Sequence, residues 1–272
     1  VNIPELRETI LIQEKLEERV GEMTRGSVYI GTSGWNYKHW AGGVFYPPGL
    51  KQKEWLAYYC KTFKTVEINN TFYRLPSKAV FEKWRDSVPG GFRFVVKANR
   101  FITHIKRLKD PERSVRNFLV NMGGLGEKLS PVLFQLPPSW NVNLGRLDDF
   151  LRYLSSQEII PGLQVVLEIR NESWVGEETF DLLRAYHAAL CFADWPDLTI
   201  EEPVTADFVY LRRHGPGDLY SSGYSEEDLR RDKERITFCL GEGKDVYVYF
   251  NNDWGGYAVE NALMLLEMVR SG

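Results

Sequence analysis

At 272 residues, 43% hydrophobic and 26% charged, the chain suits one large α/β domain and has the composition of a soluble globular protein. Its net charge of −3 argues against a phosphate backbone as dominant partner, because nucleic-acid binders carry a basic excess. Cys60, Cys191 and Cys239 include no CxxC, and the four histidines include no HxH or HxxxH, so neither a disulfide framework nor a histidine-rich metal centre is expected; a reducing cytoplasm fits.

The first stretch, "VNIPELRETILIQEKLEERVGEM", has "ILI" as its longest apolar run, too short for a signal peptide or a membrane span. Leu6, Ile10, Leu16, Val20 and Met23 recur at roughly helical spacing. They predict an amphipathic helix over 4–22, within an extension of residues 1–26 packed on the domain. Its charges are mixed in sign, which favours packing over a membrane surface.

From residue 27 onward a β-rich run, a loop and a helical stretch alternate. Strands are expected at 28–35, 65–73, 93–99, 131–137, 164–170, 188–194, 208–214 and 245–253. Helices are expected near 51–61, 78–87, 111–128, 145–157, 177–187, 226–241 and 256–270. Eight strand–helix units without a linker predict a single (β/α)8 barrel of the TIM type over 27–272, with an open doubly wound sheet as the competing fold. The sixth crossover, "WPDLTIEEPVTAD", is too short and proline-broken for a helix; a turn or short 3₁₀ segment is expected, leaving the sixth helix degenerate.

Side chains alternate along a strand, so parity assigns faces. In "QVVLEIR" Val165, Leu167 and Ile169 belong against helices, which sends Glu168 and Arg170 into the barrel. The same rule turns Glu67, Asn69, Arg93, Lys97, Gln135, Tyr210, Arg212, His214, Tyr249 and Asn251 inward. The sixth strand is ambiguous but ends on Asp194. These polar residues gather toward the C-terminal strand ends, where barrels of this type carry their sites. Trp35, Trp40, Trp140, Trp174, Trp195 and Trp254 follow strand ends. Most are expected to pack loops down and two or three to touch a ligand. "RRHGPGD" and "NNDWGGYAVENA" place glycines where such barrels often hold phosphate, although glycines in strand-to-helix turns are common for steric reasons.

The motifs "GTSGWNYKHWAGGVFYP", "VEINNTFYRLP", "FVVKANRFITH", "LFQLPPSW", "LEIRNESW" and "YFNNDWGGYAVENA", in that order over about residues 28–265, resemble the YecE-like family, domain of unknown function 72. The resemblance implies a TIM-type barrel and brings no established reaction or catalytic residue.

The chemistry is weighed on the residues. Barrel glycosidases resemble one another in placing carboxylates at the ends of strands four and seven. Gln135 and Arg212 or His214 stand there in this chain, against a standard glycosidase. Glu67, Glu168, Asp194 and His214 could gather a divalent ion for a sugar isomerase or phosphodiesterase, but Lys97, Arg170 and Arg212 in the same cavity oppose a cation. A Schiff-base role for Lys97 is a further option; a Lys97 paired with Glu67 or Glu168 is preferred over it. The expectation is therefore an enzyme needing neither metal nor cofactor, acting on a small, polar, anionic, carbohydrate-like molecule. Glu168 is its general acid or base, with Lys97 and Glu67 as catalytic partners. Arg170, Arg212 and His214 hold the anion; Asn69, Gln135, Asp194, Asn251 and Asp253 supply polar contacts; Trp35, Tyr73 and Trp254 form walls. The rival class is a non-catalytic binder of a nucleotide, sugar phosphate or nucleic-acid end.

Overall fold

The computed structural model describes residues 26–271. The expected helix over 4–22 lies outside the described residues. Eight parallel strands follow the order β1–β9–β8–β6–β5–β4–β3–β2: β1 (Val28–Thr32), β2 (Thr65–Ile68), β3 (Arg93–Lys97), β4 (Leu129–Gln135), β5 (Val165–Glu168), β6 (Ala189–Trp195), β8 (Phe208–Arg213) and β9 (Asp245–Phe250). Helices α1 (Trp55–Tyr59), α2 (Lys78–Asp86), α3 (Pro111–Met122), α4 (Leu144–Ser155), α5 (Glu177–Ala185), α6 (Glu226–Gly241) and α7 (Tyr257–Arg270) supply the crossovers. This is the expected α/β barrel. The strands end two to five residues before the alternation in sequence suggests at β2, β5 and β9, because the chain leaves the sheet there into turns.

The sixth crossover differs from expectation. In place of a turn or 3₁₀ segment, β7 (Leu198–Ile200) folds back antiparallel on the end of β6, pairing Asp194 with Thr199 and Trp195 with Leu198. Tight reversal at Asp197, in the left-handed region at φ 63°, brings the "LTI" run back onto the strand it left.

Seven strand junctions are hydrogen-bonded ladders. The eighth, between β1 and β2, is closed by a side chain: the Tyr59 hydroxyl accepts from the Thr32 amide (3.0 Å) and donates to the Thr65 carbonyl (3.1 Å). The seam is tight at Gly31, where a Cβ would stand 2.5 Å from the Thr65 carbonyl oxygen, a contact only glycine escapes.

Parity sets the two cores. Val66, Ile68, Val132, Phe134, Val165, Leu167, Val209, Leu211, Val246 and Val248 pack outward against helices. Val95, Leu133, Val166, Cys191, Ala193, Phe208, Tyr210, Tyr247 and Tyr249 fill the barrel, which settles strand six: its alanines and cysteine face in and Leu190 and Phe192 face out. Stacked Tyr29 and Tyr247 (centroids 4.9 Å apart) belong to this interior plug. The barrel is thus solid, and its polar layer lies above the plug. Arg93 does not join that layer; as the first residue of β3 it sits at the opposite end, bonded to the Glu127 carbonyl.

Candidate functional site at the barrel mouth

Each strand delivers its inward polar residue at or just past its last pleat. Glu67 comes from β2, Lys97 from β3, Gln135 from β4, Glu168 and Arg170 from β5, Asp194 from β6, and Arg212 and His214 from β8. The next residue along β8, Arg213, points the other way and pairs with Asp232 of α6, as alternation requires.

Arg212 is the hub. Its Nε and Nη2 donate to the two oxygens of Glu67 (3.0 and 2.8 Å), and its Nη1 donates to Glu168 (2.9 Å) and to His214 Nε2 (3.0 Å). Tyr210 adds a third donor to Glu67 (2.5 Å). Arg170 donates through Nε to Glu168 Oε1 (2.7 Å), its Nη2 stands at ion-pair distance from the same oxygen (2.7 Å), and Nη2 reaches His214 Nε2 (3.1 Å). Glu67, Glu168, Arg212 and His214 have no exposed surface. Trp195 lies under the Arg170 guanidinium, 3.6 Å from its ring centroid.

These contacts assign charges. Burial by itself would raise the Glu168 carboxyl, but Arg170 and Arg212 hold it well below the carboxylate range; against the same effect of burial, Arg212 lowers the Glu67 carboxyl. An arginine cannot accept a hydrogen bond, so His214 Nε2, facing two guanidinium groups, is the acceptor and carries no proton. Nδ1 then donates to Asp194 (3.2 Å), which also accepts from the His214 amide (2.7 Å) and from the Tyr224 hydroxyl. Burial and the charge of Arg212 keep the imidazole neutral, with its pKa at about 4.

Lys97 breaks the pattern. It is buried, yet among the described residues no carboxylate lies within ion-pair distance of Nζ and no acceptor within hydrogen-bonding distance. The expected pairing with Glu67 or Glu168 is corrected: both carboxylates are saturated by guanidinium groups. Instead the ammonium stands over the Phe72 ring, 4.7 Å from its centroid. Burial, then Arg212 and Arg170, outweigh Glu168 and Glu67 and bring its pKa down to about 7.

The other expected contacts are more dispersed. Gln135 pairs with Glu168 in the strand register and donates only weakly, to its neighbour's carbonyl at 3.3 Å. Asn69 Nδ2 and the Tyr37 hydroxyl both donate to the Ser33 carbonyl (3.0 and 2.5 Å), while Ser33 Oγ and Asn69 Oδ1 are buried without a partner. Trp35 and Tyr73 line, with Tyr37 and Asn69, a cleft of about 730 Å³ beside the mouth. Asp253 holds His39, and burial raises its carboxyl. Trp254 is exposed beside His39, and Asn251 is partly exposed where β9 leaves the barrel. Trp40, Trp140 and Trp174 pack loops and are buried. Gly255 and Gly256 are both left-handed (φ 65° and 93°), so the turn needs them for steric reasons.

Sequence reasoning turned Tyr210 inward but missed His104, Phe72, Tyr37 and Tyr224. Those four sit in loops and turns, where alternation gives no signal.

A closed parallel barrel with its charged layer at the C-terminal mouth is an α/β barrel of the TIM type. Residues 29–272 match the family described as protein of unknown function DUF72, and the chain belongs to that family. It is similar to the UPF0759 protein YunF of Bacillus subtilis strain 168, 27% identical over 89% of this chain and 94% of YunF. It is also similar to YecE of Escherichia coli K12, 29% identical over 59% of this chain and 55% of YecE. The crystal structure of a DUF72 family protein from Thermotoga maritima MSB8 is 33% identical with a TM-score of 0.79, covering 90% of this chain and 99% of that one.

Proposed function

We propose that the mouth is the active site of an enzyme acting, without a metal ion, on a small polyhydroxylated anion of the carbohydrate type, and that Lys97 is its reactive amine. The observation that carries this reading is the asymmetry of the charged layer. Among the described residues every buried carboxylate is held by arginine, and Lys97 is the one buried cation without a hydrogen-bond or ion-pair partner. A group poised near pH 7 moves protons efficiently in both directions. Glu168, by contrast, is bound through both oxygens and held ionised, which suits it to fixing Arg170 and Arg212 rather than to exchanging a proton. The catalytic centre expected at Glu168 therefore moves to Lys97.

An anionic substrate group would bind Arg170, whose Nη1 has no partner among the described residues. The unpaired Ser33 Oγ and Asn69 Oδ1, with the aromatic cleft beside them, suit hydroxyl groups on a compact ring or chain. Guanidinium groups occupy the carboxylate lone pairs a divalent ion would need, which supports metal-independent chemistry.

The test is solvent-deuterium wash-in. The protein is incubated in D₂O with a panel of phosphorylated and carboxylated sugars, and mass spectra are read for exchange next to the carbonyl. Exchange that Lys97→Met abolishes is expected. Exchange surviving in that variant, or no exchange and no thermal stabilisation with any anion, overturns the reading.

A further inference from the structure

Lys97 and His104 meet the same ring. Lys97 Nζ stands 4.7 Å from the Phe72 centroid, and the His104 imidazole packs edge-to-face on Phe72 at 4.9 Å and 85°. His104 belongs to a single π-helical turn, Phe101–Ile105, directly after β3, and such turns are frequent at functional sites. Its Nδ1 lies 2.9 Å from the hydroxyl of the buried Thr103, which fixes the ring; Nε2 has no partner among the described residues. Burial, then the charges of Lys97, Arg170 and Arg100, bring the His104 pKa to about 4, so the imidazole is neutral at neutral pH.

We propose that Lys97 is a nucleophile that forms an imine with the aldehyde or ketone carbon of a short anionic sugar, and that His104 carries the protons of that step. This deepens the acid–base reading of the same site and rests on it. A nucleophilic amine must be unprotonated in part, free of competing acceptors and close to a proton carrier. Lys97 meets the first two conditions, and His104 meets the third. With burial, Arg212 and Arg170 lower the proton affinity of the amine, and Arg170, whose Nη1 has no partner among the described residues, attracts the substrate's anion.

The step balances without any co-reactant. The Nζ lone pair bonds to the carbonyl carbon, and the C=O π pair passes to oxygen. A proton leaves nitrogen for His104 and returns to that oxygen, giving a carbinolamine. A second proton, taken from solvent and passed on by His104, lets the hydroxyl leave as water as the nitrogen lone pair forms the C=N bond. The sum is carbonyl plus amine plus one solvent proton giving protonated imine plus water. The protonated imine acidifies the adjacent C–H, whose proton goes to His104 Nε2.

The full chain is incubated with glyceraldehyde 3-phosphate, dihydroxyacetone phosphate or glycolaldehyde phosphate, treated with sodium borohydride to reduce any imine, and mapped by peptide mass spectrometry. The melting temperature with each probe is measured in parallel. The expected result is an adduct on Lys97 formed at least tenfold faster than on any other lysine, with a pH midpoint near 7. Lys97→Met loses it, and His104→Gln slows it at least tenfold while the probes still raise the melting temperature. Stabilisation by a probe with no preferential adduct on Lys97 overturns the imine and leaves the acid–base reading standing. Neither stabilisation nor adduct with any probe overturns both. An unchanged trapping rate in His104→Gln removes His104 from the step.

Discussion

Arg212 and Glu67 come from strands that are not neighbours in the sheet, yet they meet in a two-point ion pair of 3.0 and 2.8 Å with neither residue exposed. A second carboxylate, Glu168, binds the remaining guanidinium nitrogen, so one cation neutralises parts of two buried anions. Removing it strands Glu67 and leaves Glu168 to Arg170 alone. Arg212→Met is expected to lower stability by about 3–5 kcal/mol, the usual cost of orphaning a buried charge. Arg212→Lys should recover only part of this, because an ammonium cannot reproduce the planar fork. Urea denaturation of the three proteins measures the difference; a loss below about 1 kcal/mol for Arg212→Met would contradict the hub.

Glu168 and Lys97 should separate cleanly by mutation. Glu168→Gln leaves Arg170 and Arg212 short of an anion and is expected to melt well below the wild type, by about 3 kcal/mol in stability. Lys97→Met removes a buried charge that has no partner and should be neutral or stabilising at pH 6, although it abolishes turnover under the proposed function. The sign follows from linkage. The folded-state pKa of about 7 lies below that of a free lysine, so the unfolded chain holds more protons between about pH 7 and pH 10. Stability from this group rises with pH across that window. It is lost as pH falls through it, by an amount on the order of 4 kcal/mol. The difference between wild type and Lys97→Met, followed by denaturation from pH 6 to pH 10, should shrink as pH rises. A flat difference would show that Lys97 is paired after all.

The barrel and its charged layer could be read from the chain because both follow from period-two alternation. Val165 and Leu167 against helices force Glu168 inward whatever the rest of the fold does. Which carboxylate meets which cation could not be read that way. It depends on the stagger of strands around the barrel, which seats Lys97 opposite Leu133 and Gln135 opposite Glu168. A pairing of Lys97 with a glutamate was reasonable by charge and wrong by register. His104 and Phe72 escaped for a different reason: they lie in 3₁₀ and π turns, where neither period two nor period 3.6 holds. The β6–β7 hairpin was present as "LTI" but masked by the prolines around it.

His214 should make the mouth acid-sensitive. Its folded-state pKa is about 4, below the ordinary histidine value near 6.5, so the unfolded chain takes up a proton first as pH falls. The stability it contributes is complete above about pH 6.5 and is lost as pH drops toward about 4. Protonation would turn Nε2 into a donor aimed at two arginines, and those contacts would break. His104 titrates in the same window, so the informative quantity is the wild type compared with His214→Gln, whose amide oxygen can still accept from Arg170 and Arg212. His214→Gln should lose less stability than wild type between pH 6.5 and pH 4, by roughly 2 kcal/mol or more. Parallel curves for the two proteins would mean that His214 is not held neutral by its neighbours.

Tyr59 offers a test of how the barrel closes. Its hydroxyl takes the place of a ladder hydrogen bond between β1 and β2, serving the buried Thr32 amide and Thr65 carbonyl together. Tyr59→Phe keeps the ring, which packs on Phe63 at 4.8 Å, and removes only the bridge. Two buried backbone groups then lack partners, and each such group costs about 1–3 kcal/mol. The expected loss is about 2–4 kcal/mol, several times that of removing a solvent-exposed tyrosine hydroxyl. Hydrogen exchange should localise it: the Thr32 amide should lose protection strongly, while amides of the β8–β9 ladder fall only by the global change in stability. Equal effects at both places would mean that the hydroxyl supports the whole barrel rather than its seam. No loss at either would mean that β1 and β2 close without it.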